Sequence, residues 1–416
     1  MIKFLFIYLY LLILIVNAKV LTLDECIDKT LKNHPDLKKL SLSVMQRKSL
    51  VDVAKADYMP QINFNAQYNP INTFALPQNG EFKTINDDSY QIGATANQKI
   101  YDYDKTSSTI KAYEKDENIA DLSLDDKKAL LVYNIKNLYD LALVHTKAIE
   151  VRQKDLQTKE ELYRQAESLV KEGLKTAADA TSILSAVYIA KDNLAGAKAD
   201  LHKALNTLSI YMGERIDFDT VLVENSLQKN IQNKDLTLKD IFEKNFELKG
   251  FKEEILKEGL IYDASKAQHY GSIDAMASYI HQSSINSYDL STIGVTINIP
   301  IYSGGRISAQ SQQAAIAKEI AKESYNSKKL LIQEEFEGLM IDLDRYKLTL
   351  KAKEALIESS FATKEIIEAR YKEGLSTYIE VLDAASTHLF AELGLIETKL
   401  FINKIINKLD YLQGQF

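Results

Sequence analysis

The sequence contains matching segments that recur about two hundred residues apart, a period typical of a duplicated unit. The tetrapeptide KEGL occurs at 171–174 and again at 372–375. TLDECIDKTLKNHPDLK at 22–38 resembles TLKDIFEKNFELKGFK at 237–252. The chain is therefore predicted to build one structural unit twice.

Each predicted repeat has the same order of elements: helix, strand, loop, strand, long helix, tight turn and helix. The first repeat is assigned to 19–213 and the second to 237–416. Residues 214–236 break the pattern and are predicted to connect the two. We expect one continuous helix at about 21–58 and one at about 237–268. Proline, which interrupts helices, occurs only at positions 35, 60, 70, 77 and 300.

Residues 1–18 are predicted to be a cleaved signal peptide. Lys3 supplies a positive start, Phe4 to Val16 is apolar, and Val16-Asn17-Ala18 offers small residues for cleavage. A membrane anchor is the alternative, but a spanning helix needs about 20 apolar residues. Because no other stretch is long and apolar enough, strands must carry the mature chain if it lies in a membrane.

Two strand pairs, at 61–99 and 272–300, alternate between apolar and polar residues. The apolar face carries Ile62, Phe64, Ala66, Tyr68, Tyr90, Ile92, Ala94, Ala96, Ile273, Ala275, Ala277, Tyr279, Ile293, Val295, Ile297 and Ile299. The polar face is rich in uncharged Asn, Gln, Thr and Ser, and segments 71–88 and 282–290 are expected to be external loops. Such strands, about ten residues each, are typical of an outer-membrane barrel with a wet lumen. The alternative is a half-buried sheet on a soluble core.

Four strands cannot close a barrel in lipid, where open edges are not tolerated. The chain must therefore associate, and a dimer or a trimer would supply eight or twelve strands. Eight strands fill with side chains, whereas twelve leave a pore.

The long helices are predicted at about 104–171 and 306–372, each about 100 Å long at 1.5 Å per residue. A heptad seam with alternating small and large residues follows from Val187 to Tyr211. A soluble coiled coil is one interpretation; joined to membrane strands, the helices would instead continue the barrel wall as a tube. In NIPIYSGGR, Pro300 ends the strand and the glycine pair at 304 and 305 lets the chain turn into the helix.

These features together resemble the TolC family of outer-membrane efflux proteins over essentially the whole mature chain. The resemblance rests on LKNHPDL, INIPIYSGGR, the repeated EGL tips, and YKEGLSTYIEVLDAAS at 371–386. It implies a mainly α fold with transmembrane β, in which a homotrimer completes a 12-stranded β-barrel above a helical tunnel that crosses the periplasm. It also implies location in the lipid of the bacterial outer membrane.

The resemblance further implies a passive exit duct for small-molecule efflux, without catalysis or cofactor. The partners would be a periplasmic adaptor (membrane fusion protein) and an inner-membrane transporter of RND or ABC type. Type I protein secretion is the alternative within this class. A soluble periplasmic coiled-coil adaptor is the alternative from another class, although adaptors usually carry one helical hairpin and this chain has two.

The tight turns at 172–176 and 373–376 are the first candidate sites. Two Gly-Leu pairs resemble the family's hairpin-tip motif, which adaptors contact: Gly173-Leu174 and Gly374-Leu375. Glycine just past a helix end is also common turn chemistry, which explains the same residues without a partner.

The second candidate site is a gated aperture. Asp179, Glu380 and Asp383 match acidic positions around the family's periplasmic constriction, and Tyr371 matches an aromatic residue in its bond network. Threefold symmetry would gather nine carboxylates, so that the aperture would respond to pH and to divalent ions. Ser376 occupies the family's basic position, which is a departure from its latch.

Helix capping is the competing explanation for two of these acids. Thr176-x-x-Asp179 and Thr377-x-x-Glu380 both fit the capping box, in which a threonine and an acid bond each other's backbone. Asp383 lies one turn deeper, so capping explains it less well.

Other classes of function lack support in the sequence. The net charge of -7 argues against nucleic-acid binding. The single cysteine, Cys26, permits no internal disulfide, and the six histidines lack ligand spacing. We find no metal motif, phosphate loop or catalytic triad.

Overall fold

The computed structural model describes residues 20–75, 80, 83–223, 237–283 and 287–415. The predicted signal peptide at 1–18 and the part of the predicted connector at 224–236 lie outside these residues. The helices are α1 (Leu23–Asn33), α2 (Pro35–Ala56), α3 (Lys105–Lys171), α4 (Ala177–Met212), α5 (Leu238–Lys244), α6 (Phe246–Ala267), α7 (Arg306–Lys372) and α8 (Tyr378–Leu412). The strands are β1 (Val20–Leu21), β2 (Gln61–Ala75), β3 (Lys83–Tyr101), β4 (Val221–Leu222), β5 (Ser272–Ser283) and β6 (Ser287–Asn298). The chain is thus mostly helical with few strands, as predicted. Within the described residues, no helix is both long and apolar enough to cross a membrane.

The first helix of each predicted repeat is broken, whereas the sequence predicted one continuous helix in each case. α1 ends before His34, which is extended (φ -66°, ψ 124°) because the following proline disfavours helical backbone there. Pro35 then opens α2, where its missing N–H costs nothing. Asn245 has nearly the same conformation (φ -58°, ψ 125°) between α5 and α6, and its side chain donates to the carbonyl oxygen of Leu412 at 3.1 Å.

A four-stranded antiparallel sheet has the order β2-β3-β5-β6. The strands are longer than predicted, because β2 and β3 extend into the expected loop at 71–88, and β5 and β6 extend into the one at 282–290. Pro70 is tolerated within β2 because that strand is at the edge of the sheet. In the described part of the sheet, β2 and β6 each pair on one side only.

The register brings the predicted apolar residues onto one face. Ile62 of β2 pairs with Ala96, which pairs with Ala277, which pairs with Ile293 of β6. This face is open: Ile62 is 74% exposed and Ile293 is 90% exposed.

Each long helix begins at a sharp corner after a strand. Before α7, Gly304 and Gly305 have positive φ (63° and 80°). Before α3, Tyr103 and Asp104 take the same left-handed conformation (φ 55° and 66°) without glycine. The Tyr103 ring lies between those of Tyr101 and Tyr270, with centroids 4.8 and 5.2 Å apart, and these contacts help to offset the conformational cost.

The chain divides into two compact units. The first consists of the described residues of Met1–Lys38, Asp125–Asn245 and Leu330–Phe416, and the second of Lys39–Leu124 and Phe246–Lys329. The four-stranded sheet belongs to the second unit, and both helical turns belong to the first.

In the core of the first unit, Tyr139 is fully buried beside β1 and β4, which pair in parallel. Its hydroxyl donates to the carbonyl oxygen of Leu21 at 2.8 Å and accepts from the N–H of Val223 at 2.9 Å. The Tyr139 side chain therefore stabilises the pairing of the two short strands through these hydrogen bonds.

Candidate functional site

The turn between α3 and α4 ends the first helix with a left-handed glycine. Gly173 has φ 75° and donates to the carbonyl oxygen of Val170 at 3.0 Å, and Leu174 donates to that of Leu169 at 2.9 Å. This pair of bonds is the Schellman motif, which satisfies the last carbonyls of a helix. A Cβ at Gly173 would meet nothing within 4 Å, so the positive φ alone requires glycine here.

The turn between α7 and α8 has the same geometry. Gly374 has φ 74° and donates to Tyr371 at 3.0 Å, and Leu375 donates to Arg370 at 2.8 Å. The local pattern Gly-Leu thus folds identically in both hairpins. It leaves the two leucine side chains in solvent, with Leu174 65% and Leu375 68% exposed.

Both second helices begin with a capping box, as the sequence suggested. Thr176 donates its N–H to Asp179 at 3.1 Å, and Asp179 donates its N–H to the Thr176 hydroxyl at 3.2 Å. Thr377 and Glu380 make the equivalent bonds at 2.7 and 3.3 Å. Hydrogen bonds from the backbone and hydroxyl of Thr377 lower the pKa of Glu380. Each of these two acids therefore has a structural role at a helix N-terminus.

Tyr371, in the last turn of α7, joins the two hairpins. It is 2% exposed and packs in a cluster with residues of all four helices. The other buried members are Leu162, Ala166, Ile183 and Val381. Its hydroxyl has no hydrogen-bond partner among the described residues. Burial, followed by the nearby charge of Asp179, raises its pKa.

Lys175 also reaches this cluster. Its ammonium nitrogen lies 5.3 Å from the ring centroid of Tyr371, within the range of a cation–π interaction. Lys175 is not among the residues predicted from the sequence. The sequence offers only a weak indication of its role. The residue after the first KEGL is a lysine, whereas the residue after the second KEGL is Ser376, which is buried.

Asp383 lies one turn beyond Glu380 on α8 and is exposed. Within the part of the chain that the structure describes, it makes no hydrogen bond and no ion pair, so capping does not account for it. The structure therefore brings Lys175 and Asp179 close to Tyr371 within one chain. Searched over the same residues, groups of three or more His, Cys, Asp or Glu that could hold a metal are absent.

Comparison with known proteins gives a consistent result. The model of the family described as "Outer membrane efflux protein" matches residues 26–214 and 260–414. The chain is 23% identical over 419 residues to the outer membrane protein TolC of Escherichia coli (strain K12), covering 91% of this chain and 78% of that protein. It is 23% identical over 385 residues to the outer membrane efflux protein BepC of Brucella suis biovar 1 (strain 1330), covering 91% and 82%.

Solved structures show the same fold. A crystal structure of CusC superposes with a TM-score of 0.86 at 17% identity, covering 95% of this chain and 92% of that one. The family model covers both turns and most of both long hairpins. The chain belongs to the outer membrane efflux protein family and is located in the bacterial outer membrane, extending into the periplasm.

Proposed function

We propose that three copies of this chain form an outer-membrane channel that serves as the exit duct of a tripartite pump for small molecules. The observation that carries the proposal is the four-stranded sheet, whose apolar face is exposed and whose edge strands, in the described residues, each lack a second neighbour. In lipid, such edges must be paired, and pairing β6 of one copy with β2 of the next satisfies them. Three copies give twelve strands, enough for a pore.

The polar face of the sheet would line that pore. Asn63 and Asn65 of β2 face it, as do Thr95 and Asn97 of β3. Uncharged amides and hydroxyls hydrogen-bond water without selecting strongly for ion charge. A lumen of this kind suits diverse solutes and passive transport, with no catalytic step.

The helical turns would meet the partners. Leu174 and Leu375 are apolar, exposed and held on rigid Schellman turns, which suits a hydrophobic contact with the hairpin of a periplasmic adaptor. The adaptor would connect the duct to an inner-membrane transporter. The outer-membrane location argues against the alternative of a soluble adaptor.

The aperture would lie at the same end. In a trimer, Asp179, Glu380 and Asp383 would contribute nine carboxylates, which attract cations. Tyr371 would hold the two hairpins of each copy together in the closed state, since it packs against helices of both.

The test is the mass of the full-length protein after extraction from membranes in detergent, measured by light scattering with the detergent contribution subtracted. The expected species has roughly three times the mass of the mature chain and inserts into planar bilayers to give conductance. A monomer that stays in solution without detergent would refute the channel, because four unpaired strands enclose nothing.

A further inference from the structure

The exposed face of the sheet changes chemistry along its strands. Near the helical end, the register aligns Tyr101 with Ile273 and Ile297. The rows that follow, in register order, contain Gln98, Ala275 and Val295; Ile62, Ala96, Ala277 and Ile293; and Phe64, Ala94, Tyr279 and Ser291. These rows hold no charged group.

Charged groups start at the next row. His281 of β5 pairs with Asp289 of β6, and their side chains lie 2.7 Å apart. Beyond them, Tyr68 of β2 donates its hydroxyl to Asp88 of β3 at 2.6 Å. Tyr90 connects the two groups, because its ring centroid lies 5.9 Å from that of His281.

These polar groups are solvent-exposed on the same face as the apolar rows. The side chains of His281 and Asp289 are 37% and 58% exposed, and Tyr68 is 61% exposed. At the midplane of a bilayer a charged side chain costs about 2–4 kcal/mol, whereas near the interface the cost falls to about 0–1 kcal/mol. Tyrosines concentrate at that same interface, where the ring is in hydrocarbon and the hydroxyl in water.

The opposite end of the apolar rows carries a second group of tyrosines. At the corner where β3 turns into α3, Tyr103 contacts both Tyr101 and Tyr270. From the Tyr101 row to the Tyr68 row is about ten residues, or about 33 Å along a strand at 3.3 Å per residue. A tilt of about 45° reduces this to about 23 Å, close to the roughly 25 Å apolar band of outer-membrane barrels.

We infer that the hydrocarbon of the outer leaflet ends between the Phe64 row and the Tyr68 row, and that Tyr68–Asp88 and His281–Asp289 contact the lipid headgroups. This inference rests on the proposed function, because it requires the apolar face to meet lipid. The β2–β3 hairpin pairs onward for seven residue pairs, from Asn69 with Ser89 to Ala75 with Lys83, whereas β5–β6 ends at Ser283 with Ser287. The β2–β3 hairpin therefore extends past the hydrocarbon into the headgroup layer.

The chain contains no tryptophan, so single tryptophans report depth without background. Phe64→Trp and Tyr68→Trp would be purified as full chains and reconstituted into phosphatidylcholine vesicles. Their fluorescence would then be quenched by lipids brominated near the terminal methyl or near the carbonyl. We expect Phe64→Trp to be quenched more by the deep bromines, and Tyr68→Trp more by the shallow ones with red-shifted emission.

Asn65→Trp is the matched control, since it neighbours Phe64 on the opposite face and should not be quenched by either lipid. If Tyr68→Trp is quenched as deeply as Phe64→Trp while Asn65→Trp is not, the boundary is misplaced but the barrel stands. If Asn65→Trp is quenched as strongly as Phe64→Trp, the face assignment fails and the proposed channel fails with it. A second pair, Tyr90→Trp and Gln91→Trp on β3, repeats the comparison should one variant not fold.

Discussion

The ammonium nitrogen of Lys175, in the turn between α3 and α4, lies 5.3 Å from the ring centroid of Tyr371 at the end of α7. A cation over an aromatic face is worth about 0.5–1 kcal/mol when exposed and about 2 kcal/mol when desolvated. Tyr371 is 2% exposed and Lys175 is partly buried, so this contact lies between those two values. It ties the first hairpin to the second, and any separation of the two turns must break it.

We predict that Lys175→Met increases the open probability of the channel. The substitution keeps the length of the side chain and removes its charge. Loss of about 0.5–2 kcal/mol per copy from the proposed closed state corresponds to roughly a twofold to thirtyfold change in the closed-to-open ratio for each copy. Single-channel recording in planar bilayers measures it directly.

Lys171→Met is the control for that experiment. Lys171 ends α3 in the same region, and its side chain is 75% exposed with only a 3.9 Å pair to Glu167. It should leave gating unchanged, whereas Tyr371→Leu should shift gating in the same direction as Lys175→Met. If Tyr371→Leu alters gating while Lys175→Met gates like the wild type, Lys175 does not contribute to the contact that holds the proposed aperture closed.

We further predict that Asp383→Ala raises ion leakage and weakens block by divalent cations. Asp383 is exposed and not engaged in capping, so its loss would remove three carboxylates from the proposed trimer without weakening a helix end. Melting temperature should stay within error of the parent. Asp192→Ala, which removes an exposed acid farther along α4, is the comparison. Equal conductance and equal cation block in both variants would exclude Asp383 from the aperture.

Glu380→Gln separates capping from gating. Glu380 accepts from the N–H of Thr377 at 2.7 Å, and these bonds lower its pKa. Because a carboxylate near a helix N-terminus is favoured by the dipole, the amide should lower the melting temperature. A change in conductance without such a decrease would contradict the capping role.

Local patterns made the turns predictable from sequence. Gly173 and Gly374 each follow the end of a helix and have the left-handed conformation that glycine favours. Each following helix begins at a threonine that lies three residues before an acid, which is the capping-box pattern. The residues on each face of the sheet were equally predictable from the sequence, because side chains alternate between the two faces of a paired strand.

Other features depend on contacts between distant segments. The helix break at Asn245, between α5 and α6, is not followed by a proline that would predict it. The Asn245 side chain instead donates to the carbonyl oxygen of Leu412, which is distant in sequence. Strand ends beyond Tyr68 depend on ladder hydrogen bonds rather than on hydrophobic alternation, so the loops were predicted too long. The Lys175–Tyr371 contact arises only when the two hairpins pack together.

The corner before α7 gives a stability prediction. Gly304→Ala should destabilise the chain by about 1–2 kcal/mol, because φ is 63° there and a Cβ disfavours left-handed backbone. Space is not the cause, since a Cβ would meet nothing within 4 Å. Gly338→Ala, within α7 and equally open, should instead stabilise by roughly 0.5–1 kcal/mol. Thermal melts followed by far-ultraviolet circular dichroism would show opposite shifts, and a shared sign would contradict the backbone argument.

Stability should fall at alkaline pH because of two buried acids in the core of the first unit. Burial raises the pKa of Tyr139 from its ordinary 10.0 to about 12, and that of Cys26 from 9.0 to about 12. A raised pKa means that the folded state holds the proton more tightly than the unfolded state does. The stabilisation is therefore complete below about pH 9, and is lost as pH rises from 9 to 12, by about 1.4 kcal/mol per pKa unit.

Two variants distinguish the contributions to this alkaline loss. Cys26→Ala should remove the part that begins near pH 9 and leave the part that begins near pH 10. Tyr139→Phe should lower stability by about 0.5–1.5 kcal/mol at neutral pH, because the carbonyl of Leu21 and the N–H of Val223 lose the hydroxyl and keep only their 3.3 Å hydrogen bond to each other. It should also flatten the decline above pH 10, since the residue that ionises there is gone. A Tyr139→Phe melting curve that falls as steeply as the parent's above pH 10 would assign the alkaline loss to other groups.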